Sequence, residues 1–275
     1  EGDPVEVPPI LSGADVTGRA ATATITVNWS QGNPSTAVHN AVNRAADLWE
    51  TVIVSPVPIT VDASWASLAP GALASAGAGG YVRDFPGAPI AGTFYPDPLV
   101  DALFGAQAYP GEPEIVMNVN STANWYTGLD GNAGVSQYDL VSVALHELGH
   151  GLGFVTSFTT SGATASFGIQ GYPLVLDRAL ERADGTKVIS LGAGTMYTAL
   201  TNGNLWLDLA PVLAVNGGQR PELYAPSPFE PGSSASHLDD DAFPAGDVDS
   251  LMTPFLGGGE VIHEPGPIAV GTLEG

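Results

Sequence analysis

The sequence contains no cysteine among its 275 residues. This absence excludes a disulfide framework and any cysteine thiolate that could block a metal ion. It also means that cysteine usage gives no information about the cellular compartment. Basic residues are also scarce, with 7 Lys and Arg against 29 Asp and Glu and a formal net charge of -22. Such a surface repels phosphate backbones and anionic lipids, so nucleic acids and membrane surfaces are disfavoured as partners.

Long apolar runs are lacking as well. The longest uncharged stretch, residues 151–176, is interrupted by Gly, Ser, Thr and Gln and therefore predicts no membrane span. Glu1 is not an initiator Met and no apolar leader follows it, so we expect a mature, secreted chain whose targeting segment has been removed. The acidic excess suits a soluble secreted protein or one that binds calcium through carboxylates.

The segments that are present predict an α+β fold. Alternating β-forming residues indicate three strands, and a periodic apolar stripe indicates a helix from Ser35 to about Val54. The predicted strands are Thr22–Trp29, Pro58–Trp65 and Glu114–Asn120. Residues 70–98 are rich in turns, and we expect short edge strands near Tyr81 and Thr93.

The stretch 136–154, SQYDLVSVALHELGHGLGF, carries the residues with the clearest chemistry. His146, Glu147 and His150 form an HExxH motif on a segment whose apolar residues recur at helical spacing. Residues four apart on a helix are neighbours, so His146 and His150 can both bind one metal ion, with Glu147 beside it as general base. Ser136 followed by Asp139 resembles a capping box, which predicts that the helix begins near Ser136.

A catalytic zinc ion has three protein ligands and an open position, so the motif requires one ligand from elsewhere. The chain has five histidines. His39 lies on a predicted helix, where a lone histidine is typical of packing or surface positions. The remaining candidates are His237, His263 and acidic residues such as Glu181, which we expect on a short helix within residues 174–182.

The motif HELGHGLGF, a long insertion, and then SHLDDDAFPAGDVDSLMTP together resemble the leishmanolysin type of metzincin zinc peptidase. The resemblance implies a zincin-like fold with a twisted sheet, an active-site helix at the cleft and an irregular C-terminal lobe. It also implies that His237 is the third zinc ligand and that Met252 forms the turn beneath the metal. Thr156 stands where the shorter metzincin motif has histidine. No Tyr follows Met252, so His263 is a candidate auxiliary residue, with a structural role as its alternative.

On this basis we expect an N-terminal arm at residues 1–20, a catalytic lobe at 21–153 and a C-terminal lobe at 154–275. The expected function is that of a secreted zinc endopeptidase acting on proteins or peptides, which it would hold against an exposed sheet edge. One alternative is a thermolysin-like enzyme that uses Glu181 as third ligand. Another is a binding protein with a purely structural zinc ion. A further hypothesis is that calcium binds the crowded aspartates Asp239, Asp240, Asp241, Asp247 and Asp249. The alternative is that Asp239 and Asp241 accept hydrogen bonds from the ligand histidines or cap their own loops.

Overall fold

The computed structural model describes residues 22–275, so the predicted arm at residues 1–20 lies outside the described part of the chain. The first half of the described chain mixes short strands with three helices, which confirms the predicted α+β class. Its elements are β1 (Ile25–Gln31), α1 (Thr36–Glu50), β2 (Ile59–Ala66), β3 (Ala74–Ala78), β4 (Tyr81–Arg83), β5 (Phe94–Pro96), α2 (Asp97–Phe104), β6 (Ile115–Asn120), β7 (Trp125–Tyr126), β8 (Tyr138–Asp139) and α3 (Leu140–Leu152).

A four-stranded sheet with the order β1-β2-β6-β3 forms the centre of this half. The first three strands are parallel, with Val61 of β2 between Val27 of β1 and Ile115 of β6. β3 is antiparallel to β6 and forms one edge of the sheet. The predicted strands near Tyr81 and Thr93 also exist, but they pair with each other as β4 and β5.

Helices α1 and α3 pack together against the sheet. Trp49 of α1 is fully buried, and its indole Nε1 donates a hydrogen bond of 2.8 Å to the carbonyl oxygen of Leu145 in α3. This bond satisfies a polar group that would otherwise be buried without a partner. Buried residues from both sides of Gly153 belong to one contiguous apolar cluster. The division into two lobes at this position stays a prediction.

The predicted start of α3 at Ser136 is wrong. The helix begins at Leu140, and its N-cap is Asp139, whose carboxylate accepts hydrogen bonds from the backbone N–H of Ser142 at 2.8 Å and from its Oγ at 2.7 Å. Asp139 is held extended because β8 pairs with β7 in parallel. The carboxylate of Asp139, which directly precedes the apolar helical residues, therefore caps the helix in place of the hydroxyl of Ser136.

Gly151 allows α3 to approach β6 closely. A Cβ atom at Gly151 would lie 2.5 Å from Cγ2 of Ile115, a fully buried side chain that cannot turn away. We expect Gly151→Ala to lower the free energy of unfolding by about 1–3 kcal/mol, because a methyl group would overpack this contact. Urea denaturation measures the change. Gly194→Ala, in a helical position with no atom nearer than 4.0 Å, is the matched control and should be neutral or stabilising.

After α3 the chain forms only short elements. They are β9 (Thr159–Ser161), β10 (Thr164–Ser166), a 3-10 helix Leu176–Ala179, β11 (Leu180–Glu181), a 3-10 helix Val188–Ser190, α4 (Ala193–Ala199), β12 (Trp206–Leu207), α5 (Ala210–Val215), a 3-10 helix Ser250–Met252 and α6 (Pro267–Glu274). The short helix expected within residues 174–182 is thus one 3-10 turn, and Glu181 lies in a strand instead. No helix within residues 22–275 is long and apolar enough to cross a membrane.

Contacts with other parts of the chain end the predicted 174–182 helix early. The buried carboxylate of Asp177 accepts hydrogen bonds of 2.8 Å from the backbone N–H groups of Ser157 and Leu174. These bonds tie the turn to the preceding chain, while Leu180 pairs with Leu207. Tertiary contacts therefore override the weak helical pattern.

Candidate metal centre

His146, His150 and His237, called here the histidine cluster, converge on one point at the base of a cleft. The Nε2 atom of His150 lies 3.0 Å from that of His146 and 3.0 Å from that of His237, and the remaining pair is 3.2 Å apart. Within residues 22–275 it is the one group of three or more His, Cys, Asp or Glu residues with ligand atoms close enough to hold a metal ion. His146 is partly exposed to the cleft, whereas His237 is buried.

The other ring nitrogen of each histidine faces a backbone carbonyl oxygen. The Nδ1 atoms of His146, His150 and His237 lie 2.7, 2.7 and 2.9 Å from carbonyl oxygens. These oxygens belong to Leu251, Phe154 and Ser233. Since a carbonyl oxygen only accepts, each Nδ1 carries the proton and donates it, and each Nε2 presents a lone pair. Three lone pairs therefore point at one another.

Burial keeps these imidazoles neutral. It lowers the pKa of His150 to about 3, with the charge of His146 adding to the effect and the Phe154 carbonyl opposing it. Burial likewise lowers the pKa of His237 well below its ordinary value, with both other histidines contributing. Neutral imidazole is the form that binds a metal ion.

His237 reaches the cluster through contacts between chain segments that are distant in sequence. Its carbonyl oxygen accepts a 2.9 Å hydrogen bond from Tyr224 N–H, and the next residue, Leu238, donates one of 2.8 Å to the Met252 carbonyl oxygen. On the other side, Ser236 Oγ accepts a 3.1 Å bond from the N–H of Thr156, shortly after α3. The loop is thus fixed at both ends.

Met252 is fully buried beneath α3. A Cβ atom at Gly149 would lie 2.8 Å from the Met252 sulfur, so the absence of a side chain there allows this close packing. Gly149 lies between the two histidines of α3, and the residue before Met252 supplies the carbonyl oxygen that fixes His146. Met252 therefore packs against the part of α3 that carries His146 and His150. Its predicted role as the turn beneath the metal stays a prediction.

Glu147 is 8% exposed and belongs to the lining of the same cleft. Burial raises the pKa of its carboxyl to about 8, while a hydrogen bond from the backbone N–H of Ala76 acts in the opposite direction. Ala76 lies in the edge strand β3. The raised pKa brings proton exchange by this carboxyl group closer to neutral pH, which suits a group that takes up and releases protons.

The cleft has a volume of about 780 Å³ and is bounded on one side by β3. Residues Ala74, Ser75 and Ala76 line it, together with Phe255 and Leu256 from the C-terminal part of the chain. The sequence pattern did not predict β3, because ASAGA lacks both alternation and the bulky residues typical of strands. An unpaired strand edge beside a cleft can accept an extended peptide through backbone hydrogen bonds.

The other predicted candidates lie elsewhere. His263 Nε2 is 2.8 Å from Asp139 Oδ2, so it fastens the C-terminal chain to the start of α3 and does not line the cleft. Glu181 forms ion pairs of 2.7 Å with Lys187 and 2.8 Å with Arg220. His39 packs edge-on against Trp29 at a centroid distance of 5.3 Å.

The crowded aspartates mostly cap their own loops. Oδ1 of Asp239 accepts a hydrogen bond of 3.0 Å from Asp241 N–H, and Oδ1 of Asp247 accepts one of 2.9 Å from Asp249 N–H. Oδ1 of Asp249 accepts one of 2.7 Å from Ile268 N–H. These contacts are typical of aspartates that stabilise turns. Calcium binding at this segment stays a prediction.

Comparison with known proteins gives one partial likeness. A family model described as SPBPB7E8-like matches residues 89–178, about a third of the chain. The matched segment includes His146, Glu147 and His150 but ends before His237. No curated protein and no solved structure matches the chain. The chain is thus similar to SPBPB7E8-like proteins over the segment that contains helix α3.

Proposed function

We propose that the protein is a secreted zinc endopeptidase of the metzincin type, in which the histidine cluster holds the metal ion. The observation that carries this proposal is the convergence of three Nε2 lone pairs at 3.0–3.2 Å, with each Nδ1 proton committed to a carbonyl oxygen. Lone pairs at this distance repel one another unless a cation lies between them. The arrangement therefore favours a bound metal ion.

The donor set fits zinc. Imidazole nitrogens are borderline ligands that suit zinc, and ligands at about 2.0–2.1 Å from a tetrahedral ion lie roughly 3.3–3.4 Å from one another. The distances in the histidine cluster are close to this value. His146, His150 and His237 supply three donors, and the cleft leaves a fourth direction open, as in catalytic sites. Zinc bound there would lower the pKa of a water molecule to about 7 and polarise a carbonyl oxygen.

The protein's own residues supply the remaining steps of peptide hydrolysis. Glu147 accepts a proton from the attacking water and then donates it to the nitrogen of the leaving amine. Its carboxyl group lies in the lining of the same cleft as the histidine cluster. The unpaired edge of β3 binds the peptide in extended form, so that its scissile carbonyl lies above α3.

Two observations bear on the alternatives. A thermolysin-like site would require Glu181 as ligand, but both of its carboxylate oxygens are engaged by Lys187 and Arg220. A purely structural zinc site is usually closed by four protein ligands. The histidine cluster has three members and opens into a cleft of about 780 Å³.

A digestion experiment tests the proposed function. The zinc-loaded protein is expected to cleave casein, to lose this activity in a zinc chelator, and to regain it when zinc is added back. Failure of the zinc-loaded, folded protein to cleave casein or a mixed peptide library would contradict the proposal.

Removal of the metal should also lower stability. Zinc at about a thousand times its dissociation constant contributes about 4 kcal/mol to the folded state. For a chain of this size we therefore expect chelation to lower the Tm by roughly 10 °C, which differential scanning calorimetry measures. The His237→Ala variant is the control, since its Tm should respond little to the chelator. An unchanged Tm in the parent protein would contradict metal binding at the cluster.

A further inference from the structure

A second site lies at helix α2, away from the histidine cluster. Asp97 and Asp101 are each 2% exposed. They are four residues apart on one helix, so their carboxyl groups lie on the same face. The chain from residue 105 to 113 folds back over them, and its Tyr109 is exposed to solvent. The two carboxyl groups are therefore covered by a surface loop rather than by the core.

One oxygen of each carboxyl group has no partner. Asp101 Oδ1 accepts a 2.7 Å hydrogen bond from Ala108 N–H. Asp101 Oδ2 and Asp97 Oδ1 are fully buried but accept no hydrogen bond from any group in residues 22–275. Buried polar atoms of native proteins almost always have a partner, and an unpaired carboxylate oxygen is among the most costly exceptions. These two oxygens indicate a missing ligand.

The charge at this location is also uncompensated. Neither aspartate forms an ion pair with a Lys or Arg in the described part of the chain. Burial raises the pKa of Asp97 to about 7, and the charges of Asp101 and Glu114 add to the shift. Burial and Glu114 similarly raise the pKa of Asp101 to about 6, against the Ala108 hydrogen bond. A cation at this position would offset both the repulsion between the carboxylates and the cost of burying their charge.

Glu114 adds negative charge near the two aspartates, but both of its carboxylate oxygens already accept hydrogen bonds. Its Oε1 accepts a 2.8 Å hydrogen bond from Gln107 Nε2, and its Oε2 accepts one of 2.6 Å from Thr60 N–H. Tyr109 packs closely on Gly80, because a Cβ atom there would lie 2.8 Å from the Tyr109 ring, and the same Cβ would lie 3.5 Å from Asp97 Oδ2. The Gly80 carbonyl oxygen is nearby, since it accepts a 3.0 Å hydrogen bond from Asp97 N–H.

We propose that Asp97 and Asp101 bind a divalent cation, and that this cation is Ca²⁺. The donors at this position are oxygens alone, from two carboxylates, the Gly80 carbonyl and water. Hard oxygen ligands select Ca²⁺ or Mg²⁺ over zinc, and a set of protein carboxylates with a backbone carbonyl suits the irregular coordination of Ca²⁺ better than the strict, largely hydrated octahedron of Mg²⁺. The site is separate from the crowded aspartates at 239–249, whose Oδ1 atoms at positions 239, 247 and 249 already accept backbone hydrogen bonds.

The proposed cation site lies next to the end of β3, the edge strand of the sheet. Gly79 N–H donates a 2.7 Å hydrogen bond to the Glu114 carbonyl oxygen, and Gly80 accepts from Asp97. Both glycines directly follow β3, whose Ala76 contacts Glu147. A cation at Asp97 and Asp101 therefore holds the end of β3 in place. The proposal of a calcium site is independent of the proposed peptidase function.

Thermal unfolding of the zinc-saturated full chain tests the calcium site. With CaCl₂ at about a hundred times its dissociation constant, we expect the Tm of the parent protein to rise by roughly 5–10 °C. The double variant Asp97→Asn with Asp101→Asn should show no rise. The double variant Asp239→Asn with Asp241→Asn is the matched control and should retain it. An equal rise in the Asp97 and Asp101 variant, or loss of the rise in the control alone, would refute the assignment.

A luminescence measurement provides a test that does not depend on the folding of the double variant. Tb³⁺ substitutes for Ca²⁺, and the Tyr109 ring beside Gly80 is close enough to sensitise its emission on excitation of tyrosine. We expect the parent protein to give Tb³⁺ emission that falls when Ca²⁺ displaces the Tb³⁺ ion. The emission intensity of the Tyr109→Phe variant should be lower than that of the parent protein by at least half. Emission that is absent from the parent protein, or unchanged by Tyr109→Phe, would contradict the site. The measurement uses no peptidase readout, so its failure leaves the proposed function intact.

Discussion

Replacing Glu147 by Gln is expected to leave zinc bound and to lower the rate of peptide hydrolysis by a factor of about 10²–10⁴. Gln has the same size as Glu, so the cleft and the histidine cluster should keep their geometry. An amide cannot take up the proton of the attacking water. The loss should therefore appear in kcat, measured on a fluorogenic peptide, while the zinc content stays unchanged.

Glu181→Gln is the matched control for this experiment. Glu181 is also a buried glutamate, at 7% exposure, but its carboxylate binds Lys187 and Arg220. Removing its charge should lower stability, because the two basic groups lose their partner, and should leave kcat within a few-fold of the parent value. A zinc-loaded Glu147→Gln protein that hydrolyses peptides at a near-parent rate would exclude Glu147 as the general base.

Replacing His237 by Ala is expected to weaken zinc binding by more than about 100-fold, the upper end of what hydrogen-bonding partners of ligands contribute. Only the two α3 histidines would remain as protein donors. The loop of His237 should keep its place, because the hydrogen bonds of Tyr224, Leu238 and Thr156 do not involve the imidazole. Competition with a chromophoric chelator measures the affinity, and peptide hydrolysis should fall to background.

His39→Ala and Glu181→Ala serve as controls for the loss of zinc. His39 packs against Trp29, so its replacement removes an imidazole without touching the histidine cluster. Glu181→Ala separates this site from a thermolysin-like one, since it should retain both zinc and activity. Zinc that is retained without His237 and lost without Glu181 would assign the protein to the thermolysin-like group.

Much of the sheet could be predicted from local pattern. β1, β2 and β6 alternate between buried apolar residues and more exposed ones, and their observed bounds agree with the predicted strands to within a few residues. The edge strand β3 could not be predicted in this way. Its small residues form a strand because they pair with β6, a contact that no local pattern encodes.

The histidine cluster divides into a local and a distant part. His146 and His150 follow from helical spacing, whereas His237 is 87 residues beyond His150 and was selected from the other candidate ligands only by resemblance to a family. Bonds from Thr156, Tyr224 and Leu238 bring it into place. The aspartates of α2 were not predicted as a site, because the region before residue 98 reads as turns and burial is not visible in the sequence.

X-ray diffraction from crystals of the zinc-loaded protein, measured on both sides of the zinc absorption edge, tests the central claim most directly. We expect one anomalous peak per chain, at about 2.0–2.1 Å from the Nε2 atoms of His146, His150 and His237, with a fourth position that faces the cleft and holds no protein ligand. A peak elsewhere, or a fourth protein side chain that closes the site, would contradict an open catalytic zinc centre.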